Sequence, residues 1–317
     1  MGRARKRRDE GLYNVVQENE VFIFLEHLPW AVRNAVKNDD LWRGQGRPPK
    51  DLYDILMCLC IQRYVGVSTR RSMGWIKALN KFAHFHIEVP SWRTLARARA
   101  NPEIKSYISA LHEVTTKPYM KIEHDFSTDA TGVRTKNFST WYSLRCKKRI
   151  KRHDHIESHI TTGRRTHAAF AVNTEVKHGR DSEHMRNHVK RIAQNFVIND
   201  WCGDSKYLAR KNCDCVEKEG GTPWFHLKKN TTKKPMGSPA WKRMVIEFHE
   251  NPRRAKYHYH KRSNSECTFS SKKRKFGDFV RSKSDSAMEN EDHLAWVIHN
   301  LSMLSNAKYM LRTKIEF

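Results

Sequence analysis

The chain has 317 residues, enough for one large or two ordinary domains that each bury a real core. Its 60 Lys and Arg against 34 Asp and Glu leave a formal net charge of +26 at pH 7, an excess that calls for a polyanionic partner and points to nucleic acid. No run of about 18 apolar residues occurs, which argues against a membrane-spanning helix.

The opening Met1-Gly2-Arg3-Ala4-Arg5-Lys6-Arg7-Arg8 lacks the apolar centre of a secretory signal and reads as a basic arm. The seven cysteines (Cys58, Cys60, Cys146, Cys202, Cys213, Cys215, Cys267) are odd in number and show no framework spacing. Free thiols in a reducing cytoplasm are the expectation. Cys213-Asp214-Cys215 lacks the spacing of a zinc knuckle, so no zinc site is expected there.

In chain order, residues 11–37 place Leu12, Val15, Val16, Val21, Phe22 and Leu25 at helical spacing and predict a helix ending near Pro29. Gly44 to Pro49 is a loop. Leu52 to Ile61 predicts a buried helix, and Ser68 or Thr69 can cap another through Leu79. A short helix opens at Pro90-Ser91-Trp92 and carries Arg93, Arg97 and Arg99; one more spans about 101–117. Short helices on tight turns ending in a basic one suit a helix-turn-helix DNA reader, with Arg93 and Arg97 as contacts; the rival is a helical bundle with a basic face.

After Pro118 the character changes. Lys121 to Val133 is rich in strand formers, with Asp125, Ser127 and Asp129 alternating onto one face. Further strands are expected at Thr140–Arg145, His155–Thr162 and His167–Asn173, forming an antiparallel meander. A basic run, Lys147, Lys148, Arg149, Lys151 and Arg152, interrupts it and is a candidate DNA contact. A helix over Arg180–Phe196, a strand at Val197–Trp201, a helix from Ser205 to about Glu219 and a strand at Thr222–Leu227 follow. They read as a parallel α/β unit attached to the meander. Lys228 to Gly237 is polar. One helix from about Pro252 or Ala255 to Phe276 and another over about Ala287–Met310 complete the chain.

Tyr259, Arg262, Glu266 and Lys273 are three, four and seven residues apart, which puts them on one face of a helix. One carboxylate between an aromatic hydroxyl and two cations fits a metal ligand whose neighbours grip phosphates. Asp129 at the end of the first strand and Asp204 just past a later one can supply the missing carboxylates. Three carboxylates brought together repel unless cations lie between them, and oxygen-only ligation suits Mg²⁺ or Mn²⁺, two ions serving in-line phosphoryl transfer. Duller roles compete: a turn at Asp129, a helix cap at Asp204, a capping box at Ser263–Glu266. Asp125 and Asp200 are rival carboxylates. His184 and His188, four apart, read as a surface coincidence for want of a third ligand. His258 and His260 are possible added phosphate contacts, and Trp201 and Trp224 read as core.

Taken together, these pieces resemble the DDE transposases of bacterial and archaeal insertion sequences, in the group marked by Tyr, two residues, Arg, three residues, Glu, six residues, Lys. Tyr259, Arg262, Glu266 and Lys273 fit every interval. Thr128-Asp129-Ala130-Thr131-Gly132 is similar to the setting of the family's first Asp, and Gly203-Asp204-Ser205-Lys206-Tyr207 to that of its second. Gly46-Arg47-Pro48-Pro49, Pro90 to Leu95, and Phe269 to Lys273 with Phe276-Gly277 are also family-like, so the likeness covers about residues 45–305.

The resemblance implies an α/β fold: a ribonuclease H-like mixed sheet flanked by helices over 119–312, with a small insertion near 222–254. An all-helical DNA-binding region over 1–118 would precede it. It implies cleavage at the inverted-repeat ends of an element and joining to new double-stranded DNA. Asp129 would bridge two metal ions, with Asp204 and Glu266 each completing one site. Tyr259, Arg262 and Lys273 would grip strand-end phosphates. A homodimer at the synapse and a prokaryotic cytoplasmic setting follow. The alternatives are an inactive transposase-derived DNA-binding regulator and a nuclease of the same fold.

Overall fold

The structure, a computed structural model, describes residues 9–36, 50–135, 155–176 and 181–316. The expected strand at Thr140–Arg145 and the basic run Lys147, Lys148, Arg149, Lys151 and Arg152 lie outside the described residues.

Helix α1 (Glu10–Ala35) is capped by Asp9, whose carboxylate accepts the Leu12 N–H, and it runs through Pro29 instead of ending there. Pro29 withdraws one backbone donor. Burial of Leu28, Ala31 and Val32 on either side of it carries the helix on for another turn and a half. Helix α2 (Leu52–Val65) is capped by Asp51 and closed by Gly66 at φ 71°, a left-handed conformation that glycine adopts without strain. Ile55 through Ile61 are all buried, so α2 is a helix apolar all round, enclosed by its neighbours. Helices α3 (Thr69–Phe82), α4 (Trp92–Ala100) and α5 (Ile104–Thr116) complete the N-terminal group.

The five-stranded sheet is mixed, in the order β3-β2-β1-β4-β5. Strands β1 (Asp125–Arg134), β2 (His155–Gly163) and β3 (Ala169–Glu175) are antiparallel neighbours. Strands β4 (Asp200–Gly203) and β5 (Thr222–Phe225) run parallel to β1. Helix α6 (Asp181–Ala193) connects β3 to β4, and α7 (Arg210–Lys218) connects β4 to β5. The α7 helix starts at Arg210, not at Ser205, because Asp204 turns the chain: its carboxylate accepts the Lys206 N–H at 2.8 Å.

Two further departures bear on the site. Helix α8 (Pro239–Glu250) lies in the segment 222–254 expected to be a small insertion, where no helix was expected; Ser238 caps it and Pro239 starts it, burying Trp241, Met244 and Val245. The single helix expected over 252–276 is two helices, α9 (Pro252–His260) and α10 (Ser263–Phe276). Between them the chain tightens: Arg262 N–H bonds Tyr259 O at 2.9 Å, and Ser265 N–H bonds Arg262 O at 2.9 Å. Bonds of this i to i+3 kind narrow the helix and kink its axis.

The last helix, α11 (Asp285–Tyr309), is buried along nearly its whole length. It packs on β3 and on α1, α2, α4 and α5. One continuous apolar cluster therefore runs from Phe24 and Leu56 through Leu301 to Phe126 and Trp201. No helix among the described residues is long and apolar enough to cross a membrane.

Candidate active site

Strand β1 pairs with β4 in parallel up to Thr128 opposite Gly203. The next residue in the chain after each is a carboxylate, Asp129 still within β1 and Asp204 just past the end of β4, so both stand where the pairing ends. Asp129 is not at the end of β1, as the sequence led us to expect; the strand continues to Arg134 against β2. Its side chain shares a face with Ile160, which packs on Phe269 of α10 and Trp296 of α11. Glu266 comes in on the first turn of α10.

Helix α10 is held to the sheet by polar contacts along its buried stripe, Ser265, Thr268, Phe269, Lys272 and Phe276. The Ser265 hydroxyl meets that of Thr162 at 2.9 Å, and Asn264 Nδ2 donates to Arg164 O at 2.7 Å. The neighbouring stripe, Glu266, Phe269, Ser270 and Lys273, lines an open groove of about 460 Å³ together with Arg274 and Asp278. Glu266 and Lys273 thus share one helical face, with Lys273 Nζ donating to Gly132 O of β1 at 2.9 Å. Tyr259 and Arg262 do not share that helix: Tyr259 is on α9 and Arg262 lies in the turn.

The turn aims Arg262 into the carboxylates. Its Nη1 donates to Asp129 Oδ2 at 2.7 Å and its Nη2 to Glu266 Oε1 at 3.2 Å, while its guanidinium lies 5.9 Å from the Tyr259 ring centre. Glu266 therefore bonds a side chain, and no capping bond forms at the start of α10. Burial works against the Arg262 charge, but Asp129, Tyr259 and Glu266 outweigh it and hold its pKa above the ordinary value. Asp129 also moves up. Burial is the largest cause, and the charges of Asp204 and Glu266 add to it, against the Ala130 N–H and Arg262, which favour the anion. The two partners of this ion pair therefore rise for different reasons, Asp129 mainly through burial and Arg262 through the anionic groups around it. Three carboxylates converge, and one guanidinium does not neutralise them.

A second network braces α9. Asp200 Oδ1 accepts the Trp224 indole N–H at 2.8 Å; Oδ2 meets His258 Nδ1 at 2.6 Å and accepts from Arg164 Nη1 at 3.1 Å. His258 stacks on Trp224 at 4.7 Å. Burial pushes the Asp200 carboxyl up, but the bonds from His258 and Trp224 and the charge of Arg164 leave it below the ordinary range. Asp200 is thus taken up in positioning the residue before Tyr259, which separates it from Asp129 and Asp204. Arg164 was missed in the sequence; nothing in the local pattern around it marks a buried cation that joins a strand end to a helix end. Trp201 and Trp224 are core, at 0% and 3% exposure.

Arg93 and Arg97 are exposed on α4, which packs on α2, α3 and α11. Arg99 is buried instead, donating to Gln62 Oε1 at 2.8 Å and Thr69 Oγ1 at 3.2 Å. His184 and His188, expected at the surface, are buried between α6 and the sheet. Their four-residue spacing is the inner face of α6, shared with Met185, Val189 and Ile192. The described cysteines are all free thiols. No protein-family model matches the chain, and no curated protein resembles it in sequence.

Proposed function

We propose that the chain is an insertion-sequence transposase that cuts and joins double-stranded DNA at Asp129, Asp204 and Glu266. One observation carries the reading: Arg262 donates to both Asp129 and Glu266, and Asp129 and Asp204 each follow directly on the paired residues Thr128 and Gly203, so three carboxylates from β1, the end of β4 and the first turn of α10 are drawn together. The set gathers where the parallel pairing of β1 with β4 ends, at the carboxyl end of β4, a place where open sheets hold ligands. The sheet order, three antiparallel strands followed by two parallel to the first, supports a ribonuclease H-like arrangement.

The residues fit two Mg²⁺ or Mn²⁺ ions. The donors are all carboxylate oxygens, and the negative charge that Arg262 leaves unneutralised favours further cations. Asp129 would hold both ions, with Asp204 and Glu266 each completing one site. When bound, the ions supply charge neutralisation at the attacking and leaving oxygens. The protein's own part is positioning. Arg262, released from its carboxylates, offers a guanidinium fork to a strand-end phosphate, and Lys273 adds a point charge along the groove. Tyr259 flanks that phosphate through its hydroxyl. The Asp200–His258 brace holds α9 so that this side chain stays in place. Arg93 and Arg97 on the exposed face of α4 suit phosphate or base contacts, and +26 of net charge suits the polyanion.

The test uses DNA carrying the ends that flank the gene, with Mg²⁺ or Mn²⁺, and compares wild type with Asp129→Asn, Asp204→Asn and Glu266→Gln. Cuts at the element's boundaries that all three variants lose, with end binding retained, are the expected result. End-specific binding without cutting would favour a regulator, cutting without joining to a 3′-hydroxyl a nuclease, and no end-specific binding would sink the proposal.

A further inference from the structure

On the opposite face of β1 and β2 from Asp129 lies a second group of metal-capable side chains. His159 sits across from Ala130, one residue along from Asp129, so alternation turns it toward α6. There Glu157 and His159 of β2 meet Asp181, the first residue of α6, with one ligand atom from each lying within 4.8 Å of the others.

The surroundings are unusual for the seam between an amphipathic helix and a sheet, which is ordinarily apolar. His159 is 1% exposed, and its ring stacks on that of His184, 5% exposed, at 4.7 Å. His188, next along the same helix face, has both nitrogens satisfied, Nδ1 by Thr161 and Nε2 by Asn173. The other two are not. His159 Nδ1 is buried without a hydrogen bond although Asp181 Oδ1 is 3.3 Å away, and its Nε2 is 3.9 Å from Glu157 Oε2. His184 Nε2 is likewise buried without a hydrogen bond, 3.2 Å from Glu175 Oε1.

An imidazole gives one nitrogen to an ion, and His159 Nδ1, buried without a hydrogen bond 3.3 Å from Asp181 Oδ1, stands to that oxygen as two ligands of one ion stand to each other. With metal–ligand bonds of about 2.1 Å in a tetrahedral site, ligand atoms stand about 3.4 Å apart. We propose that Glu157, His159 and Asp181 bind one divalent transition-metal ion of the zinc class, which clamps the start of α6 to β2. An imidazole with two carboxylates selects such an ion over Mg²⁺, whose preferred ligands are all oxygen. Two carboxylates also match the charge of a divalent ion. His184 and Glu175 form the wall beside the site, and water takes the remaining position. The group shares no residue with Asp129, Asp204 and Glu266, so the proposal stands whether or not those residues cut DNA.

The experiment titrates metal-free full-length protein with Zn²⁺ by calorimetry and with Co²⁺ by visible absorption. The background variant Asp129→Asn/Asp204→Asn weakens metal binding at the other carboxylates. The expected result is one equivalent bound with the absorption of low-coordinate Co²⁺. Asp181→Asn or Glu157→Gln should weaken it by about a hundredfold, and His159→Gln should remove the nitrogen-dependent absorption. Asp181 and Glu157 are partly exposed, at 25% and 20% for their side chains, so these two variants keep the test open if His159→Gln does not fold. Binding unchanged in Asp181→Asn and Glu157→Gln, or no equivalent bound in the background variant, would overturn the site. The cluster would then be only a buried set of histidine–carboxylate contacts.

Discussion

Asp129 shows how a charge held in a crowded, partly buried place costs stability. It is mostly buried, beside two like charges, and its pKa is raised even though Arg262 and the Ala130 N–H both favour the anion. A carboxyl whose folded pKa lies above its unfolded value favours folding only in its protonated form. That contribution is present at low pH and is lost as pH rises through the raised pKa. Asp129→Asn keeps the shape without the charge. In metal-free buffer at neutral pH the variant should melt at a higher temperature than wild type, by a few degrees, and the gap should close as pH falls toward the ordinary carboxylate range. An equal or lower Tm at neutral pH would show that the Arg262 pair outweighs the repulsion. Asp200 carries the opposite sign: its lowered pKa gives stability above the ordinary carboxylate pKa that is withdrawn as acid protonates it.

At the scale of elements, α10 decides whether the carboxylates meet. Its buried stripe contains Lys272, fully enclosed and ion-paired to Asp292 of α11 at 2.5 Å, with the ammonium 5.1 Å from the Trp296 ring centre. Asp292 also accepts from Ser158 at 2.6 Å and Thr174 at 3.2 Å, so the pair fastens α10 and α11 to β2 and β3. Burial lowers the Lys272 pKa and Asp292 only partly restores it; on Asp292, burial pushes upward but Lys272 and Ser158 prevail. Removing one partner leaves an uncompensated buried charge. Lys272→Ala should therefore cost about 3–5 kcal/mol, whereas Lys272→Met with Asp292→Leu should restore most of that. Denaturant melts of the single and double variants check this; equal losses in both would mean that the pair's hydrogen bonds, not its charges, hold the helices.

For the whole molecule, α11 is the spine. It is covered by β3 on one side and by α1, α2, α4 and α5 on others, and one apolar cluster passes through all of them. A helix this enclosed cannot stay folded when either side opens. The helices of 10–116 and the sheet should then unfold in one transition, with far-UV circular dichroism and tryptophan fluorescence changing at the same denaturant concentration. Two separated transitions would show that α11 releases one side before the other.

The sequence alone was enough for the elements whose cause is local. The short helix opening at Pro90-Ser91-Trp92 and the last helix, expected over about 287–310 and found over Asp285–Tyr309, are of this kind, whereas α2 runs past the expected Ile61 to Val65, where Gly66 closes it. The spacing of Tyr259, Arg262, Glu266 and Lys273, with the resemblance it supports, named Asp129, Asp204 and Glu266 as candidates; that Arg262 joins Asp129 to Glu266 is a contact only the folded chain makes. The sequence could not show the break at Lys261 and Arg262, because both residues keep right-handed helical torsions and only the packing of α9 and α10 on different neighbours tightens the turn. Nor could it show that Arg164 reaches Asp200, that His159 meets Asp181, or that Pro29 stays inside α1. Those depend on contacts between residues far apart in the chain or on burial strong enough to override a local preference. Only the assembled core supplies either.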